Sequence, residues 1–419
     1  MTTIGTMRAF RTLSPRSLPL IGSCTAALLV PLVLPLGGAA QAADSAEGAA
    51  PRTAAATQSL PLSELTPLAG STGEGDSGGE SDDPVLSLAG QGLPATDTDP
   101  FTLLGVVWQD AGEELHGTVE VRARSSETGD WSDWIELEAD PEHAPDADTV
   151  AAEGRRVRGG TAPRWVGASD GVQARVAPEG EAEAASLPEG LSLELVHPGE
   201  MAADLLAPQP EAVPAAGDHV GPRPGIVIRS KWGADESLRE SGFAYTDTVK
   251  TAFVHHTADT NNYSCSEAPA MIRAIYRYHV VSQGWRDVGY NFFVDRCGTI
   301  YEGRAGGVIE PVMGAHTAGF NHNSMGIAVI GSYGSTKPNK DITDALSLLT
   351  AWKLGLFDVN PSGSANRTSQ GGGKYAKGTT VRMNNISGHR DGFATECPGD
   401  QLYSALPSVR SLASKLQGR

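Results

Sequence analysis

From residue 251 onward, short apolar segments of strand length alternate with longer segments that have helical periodicity. The segment from Ser266 to Gln283 places apolar side chains three and four positions apart, with Pro269 in its predicted first turn. A second helix is predicted from Ile342 to Phe357. Strands that alternate with such helices favour a layered α/β fold. We therefore predict that residues 225–419 form an α/β domain with a mixed central sheet flanked by helices.

Further elements of this domain follow from its apolar and glycine-rich segments. Four strands are predicted at Thr251 to Thr257, Tyr290 to Asp295, Thr299 to Glu302 and Met325 to Gly331, and a fifth at Ile386 to His389. The polar, glycine-rich segment from Asn360 to Arg382 is predicted to be a long loop or a hairpin. A helix is predicted from Gln401 to Leu416, with Pro407 breaking or restarting it.

The preceding half of the chain differs in composition and in its pattern of apolar residues. Residues 99–200 contain short alternating or apolar segments separated by Gly, Asp and Pro, which predicts a small all-β domain of sandwich or jelly-roll type. Residues 43–98 are rich in Ala, Gly, Ser, Pro and acidic residues and nearly lack aromatics, so we predict a disordered acidic linker there. Residues 201–224 are predicted to be a Pro- and Ala-rich connector.

The two halves also differ in charge. Residues 1–225 contain 12 Lys and Arg against 34 Asp and Glu, whereas residues 226–419 contain 20 against 16. The second half therefore carries a modest net positive charge, which would tolerate an anionic polymer. Its basic density is far below that of a nucleic-acid-binding domain, so we predict no nucleic-acid partner.

The first 42 residues have the pattern of a secretory signal peptide. Arg8, Arg11 and Arg16 precede an apolar stretch from Leu18 to Leu36, and a small-x-small cleavage site ends at Ala42. The competing interpretation, a membrane anchor, is disfavoured by the prolines within the apolar stretch. No later apolar run is long enough to span a bilayer. We predict an exported protein, extracellular and associated with the cell wall, without a membrane span after cleavage.

Cleavage at this site would leave three cysteines, Cys265, Cys297 and Cys397. An oxidising compartment favours one disulfide between two of them, which leaves one thiol outside it. If Cys265 pairs with Cys297, the remaining thiol is that of Cys397. A metal requires the thiolate form of such a residue.

One short segment, Ile386 to Asp400, combines an imidazole at His389 with the thiol of Cys397. Both groups are good Zn²⁺ ligands, and a catalytic zinc site usually has three protein ligands and an open position for water. A third ligand would have to come from elsewhere, and His255 and His256 are both candidates.

Taken together, the motifs identify a family. IRSKWGAD, VHHTA, YHVVSQGWRDVGYNFFVD, GTIYEGRAGG, GAHTAGFNHNSMGIAVIGSY and GHRDGFATECPG follow one another along the chain. Their order and spacing resemble those of the peptidoglycan recognition protein family of zinc-dependent, type 2 N-acetylmuramoyl-L-alanine amidases, over roughly Ile226 to Leu416. The arrangement of linker, β domain and amidase domain also resembles that of secreted actinobacterial members.

The resemblance implies roles for individual residues. The family's zinc ligands correspond to His255, His389 and Cys397, and its catalytic tyrosine to Tyr290. His256 should point to the opposite face of its strand. Thr395 stands where phage-type members have a lysine and animal amidases a threonine. The family's groove residues correspond to His316, Thr317 and Asn321, which would bind the substrate. Its disulfide corresponds to Cys265 and Cys297.

The resemblance implies an exported amidase, in which Zn²⁺ is the cofactor and the muramyl peptides of bacterial peptidoglycan are the partner. It would hydrolyse the lactyl amide between N-acetylmuramic acid and L-alanine, with Tyr290 or Thr395 stabilising the oxyanion. The main alternative is a non-catalytic peptidoglycan receptor. Retention of the ligands, Tyr290 and Thr395 favours the enzyme. A wall adhesin with a structural zinc would need a fourth protein ligand. We expect a monomer.

Overall fold

The computed structural model describes residues 54–65, 90–139, 144–146, 150, 154, 156–179, 187–201 and 218–419. The predicted signal peptide, residues 43–53 and 66–89 of the predicted linker, and residues 202–217 of the predicted connector lie outside these residues. All described residues belong to one compact unit, Pro51–Arg419. Within the described part of the chain, no helix is both long and apolar enough to cross a membrane.

The N-terminal part is an antiparallel sheet, which confirms the predicted all-β domain. In sheet order, its main path is β1-β8-β3-β7-β4-β5, while β2 and β6 pair with β3. The strands are β1 (Ala56–Pro61), β2 (Ser63–Glu64), β3 (Gln91–Trp108), β4 (Gly117–Ser125), β5 (Ile135–Leu137), β6 (Gly159–Gly160), β7 (Arg164–Pro178) and β8 (Ser192–His197). The long strands β3 and β7 connect these strands through hydrogen bonds, and their register shifts at three places along the β3–β7 pair.

The prediction of a disordered linker at residues 43–98 is wrong where the structure describes that segment. Strand β1 pairs residue by residue with β8, from Ala56 with His197 to Pro61 with Ser192. The first residues of β3 likewise pair with β7. The amino-acid composition did not indicate that this segment is structured, because β1 contributes few apolar side chains. Its backbone hydrogen bonds go to β8, more than a hundred residues later in the chain, which satisfies the strand without a hydrophobic run.

The C-terminal part has the predicted mixed sheet, in the order β11-β10-β12-β9-β15. Strands β10, β12, β9 and β15 are parallel, and β11 pairs antiparallel with β10 at the edge. The strands are β9 (Thr251–His256), β10 (Phe292–Val294), β11 (Ile300–Glu302), β12 (Ser324–Val329) and β15 (Ile386–Gly388). The glycine-rich segment forms a hairpin of β13 (Ser364–Thr368) and β14 (Thr380–Asn384).

Helices cover both faces of this sheet. They are α1 (Arg229–Trp232), α2 (Ala268–Arg277), α3 (Lys340–Gly355), α4 (His389–Gly392) and α5 (Asp400–Leu416). Helix α2 continues into a π-helical turn, Tyr278–Ser282. The expectation that Pro407 breaks or restarts the last helix is wrong, since α5 runs through it. Pro407 lies in the third turn of α5. Proline has no backbone N–H, so one helical hydrogen bond is not formed there, and the exposed position of Pro407 lets water replace that bond.

The alternation of side chains along β9 assigns its residues to two different layers. Ala252 and Val254 pack with α3 and α5 in one apolar cluster. The other face of the sheet packs against α2, in a cluster that contains Phe293, Met271 and Ile275. His255 therefore belongs to the α2 side of the sheet.

The β domain packs on that same α2 side. Leu103, Val107 and Trp165 of the β domain belong to the apolar cluster of α2 and Tyr278. The Tyr278 hydroxyl donates a hydrogen bond to the Thr161 carbonyl oxygen at 3.1 Å. The two domains are thus joined by an apolar cluster and by at least one hydrogen bond.

Candidate metal centre and active site

Three side chains with metal-binding atoms meet at one edge of the parallel sheet. His255 is near the end of β9, and His389 directly follows β15, the neighbouring parallel strand. Because neighbouring parallel strands end at the same edge, the two imidazoles lie side by side, with ring centroids 4.3 Å apart. The loop before α5 brings in Cys397, whose Sγ lies 3.9 Å from His255 Nδ1. All three ligand atoms lie within 4.8 Å of one another.

The chemistry of these donors fits Zn²⁺. Two imidazoles and a thiol are a donor set of catalytic zinc sites, in which the fourth position is left for water. His255 and His389 are 0% exposed and Cys397 is 3% exposed, so their positions are fixed by the surrounding protein. His255, His389 and Cys397 are thus able to hold the metal that the resemblance implies.

Backbone hydrogen bonds hold the loop that carries Cys397. The Cys397 amide donates to Thr395 Oγ1 at 3.1 Å, and the Arg390 amide donates to the Cys397 carbonyl oxygen at 3.0 Å. The His256 amide donates to Cys397 Sγ at 3.4 Å. A hydrogen bond to sulfur stabilises its thiolate form, which is the form that binds a metal.

Tyr290 and Thr395 both line the small cavity beside this cluster. The Tyr290 ring centroid lies 5.4 Å from that of His255. Thr395 Oγ1 accepts the hydrogen bond from the Cys397 amide, so its own hydroxyl hydrogen can be donated elsewhere. The structure therefore brings both predicted catalytic residues to the three metal-binding side chains.

The predicted groove residues His316, Thr317 and Asn321 lie beside this cluster but are buried. The His316 and His255 ring centroids are 5.3 Å apart. Asn321 Oδ1 accepts hydrogen bonds from the His316 and Thr317 amides at 2.7 and 3.0 Å. Asn321 therefore shapes this loop from within, and its role in substrate binding stays a prediction.

Several residues of the cavity were not predicted as site residues. His279, in the π-helical turn, lines the cavity and stacks on Trp285 with centroids 4.3 Å apart. Glu138, Ala162 and Pro163 come from the β domain. His279 lies within the helix predicted from Ser266 to Gln283, seven positions after Ile272 and therefore on the same apolar face. No local signal in the sequence marks the β-domain residues. The cavity measures about 20 Å³, which is room for roughly one water molecule.

His256 has the predicted orientation, away from His255. Its Nδ1 accepts a hydrogen bond from the Tyr333 amide at 3.4 Å, and Tyr333 belongs to the apolar cluster on the α3 and α5 side. His256 therefore packs on the opposite face of β9.

The other two cysteines of the predicted mature chain, Cys265 and Cys297, form a disulfide, as the resemblance implies. It links the segment before α2 to the turn between β10 and β11. Asp295 is close to both sulfur atoms, but sulfur in a disulfide is no thiolate ligand. Among the described residues, this second cluster is therefore structural.

Asp259 is a buried carboxyl between the β domain and the amidase sheet. Its Oδ1 accepts a hydrogen bond from the Trp165 amide at 2.6 Å. Burial raises the pKa of Asp259 to about 6, and the hydrogen bond from Trp165 only partly opposes this effect. Asp259 therefore ties the stability of the interdomain contact to pH.

Two family models match the chain. Residues 48–194 match a model described as Rv3811 N-terminal galactose-binding domain-like, which begins inside the predicted linker. Residues 245–400 match a model described as N-acetylmuramoyl-L-alanine amidase. These matches agree with the order of the two domains in the structure.

Individual relatives resemble the C-terminal domain. Peptidoglycan-recognition protein SC2 of Drosophila simulans is 31% identical over 184 residues, which are 43% of this chain and 84% of the fly protein. The N-acetylmuramoyl-L-alanine amidase of Homo sapiens is 34% identical over 188 residues, which are 44% of this chain and 28% of the human protein. The solved structure of wild-type Drosophila PGRP-LB is 26% identical with a TM-score of 0.35, covering 44% of this chain and 92% of that chain.

Proposed function

This chain belongs to the family of peptidoglycan recognition proteins and type 2 N-acetylmuramoyl-L-alanine amidases, and from this premise we propose that it is a zinc-dependent amidase. Its substrate is the lactyl amide between N-acetylmuramic acid and L-alanine in peptidoglycan. The observation that carries the proposal is the meeting of His255, His389 and Cys397 within 4.8 Å. Tyr290 and Thr395 line the cavity next to Cys397.

In this proposal, Zn²⁺ held by His255, His389 and Cys397 would polarise the amide carbonyl and lower the pKa of water. The chain's own residues supply the hydrogen-bond donors and the surroundings of the reacting amide. The hydroxyls of Tyr290 and Thr395 donate hydrogen bonds to the carbonyl oxygen as it gains negative charge. His255, His389 and Cys397 are buried, and the low dielectric of such surroundings strengthens hydrogen bonds made next to them.

The test measures zinc content and muropeptide release together. His389→Ala and Cys397→Ala should each lose bound zinc and reduce the release of L-alanine-terminated peptides from purified wall to background. Chelation of the wild type should do the same. His322→Ala is the control, because His322 is an exposed imidazole outside the cluster. Full-rate release by the zinc-free protein would contradict the proposal.

The alternative function is that of a receptor that binds peptidoglycan without cutting it. Peptidoglycan-recognition protein SC2 of Drosophila simulans, to which this chain is similar, is named for the recognition of peptidoglycan. For this chain, wall binding by a zinc-loaded wild type that releases no peptide would indicate the receptor.

We also propose that the protein is exported, associates with the bacterial cell wall and acts as a monomer. The charge reversal and the pattern of residues 1–42 support the first two statements. Terminal sequencing of the secreted protein should give a start directly after Ala42, and light scattering should give the mass of one chain. A cell-retained protein with an intact N-terminus would contradict export.

A further inference from the structure

The β domain forms part of the wall of the cavity at the metal-binding cluster. Its contributions to that wall are Glu138, Ala139, Ala162 and Pro163. The cavity measures about 20 Å³, which is room for roughly one water molecule. Among the three metal-binding side chains, His255 and His389 are 0% exposed and Cys397 is 3% exposed. A sugar or a peptide therefore does not reach the cluster while the β domain lies in this position.

The β domain also contacts the loop that carries the predicted groove residues. Asp146 Oδ1 accepts hydrogen bonds from the Gly319 amide at 2.8 Å and from Asn321 Nδ2 at 3.1 Å. Asn321 Nδ2 donates a further hydrogen bond to the Ala144 carbonyl oxygen at 3.0 Å. Asp146 is buried in this contact. A substrate that binds this loop must therefore displace Ala144 and Asp146.

A third contact lies after the π-helical turn. Val157 of the β domain packs with Trp285 and Ala315 in a buried apolar cluster. The neighbouring Arg158 amide donates a hydrogen bond to the Gln283 carbonyl oxygen at 3.0 Å. The β domain thus contacts the amidase domain at three places around the metal-binding cluster. We call the residues that make these contacts the cover: Glu138, Ala139, Ala144, Asp146, Val157 and Arg158.

A larger cleft lies beside the covered cavity. It measures about 520 Å³, within the range of roughly 300–1,000 Å³ of small-molecule sites. Glu138, Ala139 and Thr395 line both spaces, whereas Cys397 and Tyr290 line the small cavity alone. Displacement of Glu138 and Ala139 would therefore join the cleft to the cavity and give an extended substrate a path to the metal-binding cluster.

We propose that the cover is autoinhibitory: in this arrangement it keeps the metal-binding cluster inaccessible to peptidoglycan, and hydrolysis requires its release. This inference rests on the proposed amidase function, because it concerns access to the same site. The apolar cluster that joins the β domain to α2 contains no residue of the cover, so the domains stay attached when the cover is released.

A cover of this kind has a kinetic consequence. A substrate that binds only the uncovered form has an apparent affinity reduced by the fraction of the protein in that form. Saturating substrate holds every molecule in the uncovered form. A change that weakens the cover should therefore lower KM and leave kcat unchanged.

Asp146→Ala is the test variant. In the covered form it leaves the buried Gly319 amide without its Asp146 acceptor, whereas in the uncovered form water can accept that hydrogen bond. Because an unpaired buried donor is costly, the substitution favours the uncovered form. Asp133→Ala is the matched control, since Asp133 is an exposed carboxyl of the same domain and lines neither space.

The first measurement does not depend on hydrolysis. Cys397 lines the covered cavity, so alkylation of its thiol by iodoacetamide in the metal-free protein reports release of the cover. Peptide mass spectrometry follows the modification of this residue. Asp146→Ala should raise the rate by about tenfold or more, and Asp133→Ala should leave it unchanged. The zinc content of the loaded variants should equal that of the wild type, because Asp146 lies outside the metal-binding cluster, and this excludes general unfolding as the cause.

The second measurement is hydrolysis of a soluble muramoyl tetrapeptide by the zinc-loaded proteins. Asp146→Ala should lower KM by about the factor by which it raises the alkylation rate. Equal alkylation of the wild type and Asp146→Ala, or an equal rise in Asp133→Ala, would overturn the proposal. Faster alkylation without a lower KM in an active enzyme would overturn it as well.

The two measurements together separate this inference from the proposed function. Faster alkylation of Asp146→Ala, with no hydrolysis by either zinc-loaded protein, would support the cover and refute the amidase. Hydrolysis with the same KM and the same alkylation rate in both proteins would support the amidase and refute the cover.

Discussion

At the scale of single residues, the site combines groups with separate tasks. His255, His389 and Cys397 offer the metal-binding atoms, and Tyr290 and Thr395 offer hydroxyl donors in the adjoining cavity. Thr395 also accepts the hydrogen bond of the Cys397 amide. A change at Thr395 would therefore disturb both a donor and a metal-binding loop, whereas a change at Tyr290 tests the donor alone.

Tyr290→Phe should lower kcat by about 10²–10³-fold, the usual effect of removing one oxyanion donor. The ring that packs beside His255 is retained, so zinc content and thermal stability should stay at wild-type values. Single-turnover kinetics and metal analysis check both statements. A wild-type kcat in the zinc-loaded variant would remove Tyr290 from the catalytic role.

Asp259→Asn should change the pH dependence of stability. The folded pKa of Asp259 is raised to about 6 from an ordinary value of 3.8, so its stabilising contribution is full below pH 4 and is lost as pH rises through 6. The asparagine keeps an oxygen for the Trp165 amide and does not titrate. Relative to this variant, the wild type should lose up to about 3 kcal/mol of unfolding free energy between pH 4 and 7. Urea unfolding at several pH values measures the difference, and parallel pH profiles of the two proteins would contradict it.

At the scale of elements, two neighbouring parallel strands and one loop build the metal-binding cluster. Motif order and periodicity predicted these parts, because each strand carries its own local apolar signal and its flanking histidine. Strand β1 was not predicted from the sequence, because this strand is held by pairing with β8 and the local composition does not indicate that pairing. The continuity of α5 through Pro407 was missed for a similar reason. Packing of Leu402, Leu406 and Val409 against the sheet outweighs the local cost of the proline.

The disulfide between Cys265 and Cys297 also joins separate elements. It links the segment before α2 to the β10–β11 turn across a sequence separation of 32 residues. Replacing both cysteines by serine should lower the free energy of unfolding by roughly 3–4 kcal/mol, as the loop-entropy relation gives for this length. Guanidinium unfolding of the zinc-loaded protein provides the measurement. Since the disulfide lies outside the metal cluster, zinc content at low temperature should be unchanged. A loss of stability below 1 kcal/mol would contradict the entropic role.

At the scale of the whole molecule, the β domain and the amidase domain share an apolar cluster and line two spaces together. The sequence predicted both domains but not their joint surface. Glu138 and Thr395 are far apart along the chain, and neither belongs to a motif that points to the other. Only the docking of β3 and β7 on α2 brings them to one cleft.

The shared cluster predicts that the two domains unfold together. Trp165→Ala removes a buried ring from this cluster and keeps the backbone amide that donates to Asp259, so the lost packing should cost about 3–5 kcal/mol. In the wild type, tryptophan fluorescence and release of bound zinc should report one coincident denaturant transition. Trp131→Ala is the control, because Trp131 lies on the outer part of the β sheet beneath Arg122. Two separate transitions in the wild type would show that the domains are independent.

The placement of His255 near the end of β9, and of His389 directly after the adjacent strand β15, has a consequence for metal exchange. His255 and His389 are held by the sheet itself, whereas Cys397 is held by a loop. A protein without bound metal should therefore keep all three side chains close to their positions, because the sheet orients the two imidazoles and backbone hydrogen bonds hold the Cys397 loop. Loss of metal should then be reversible and should not unfold the domain.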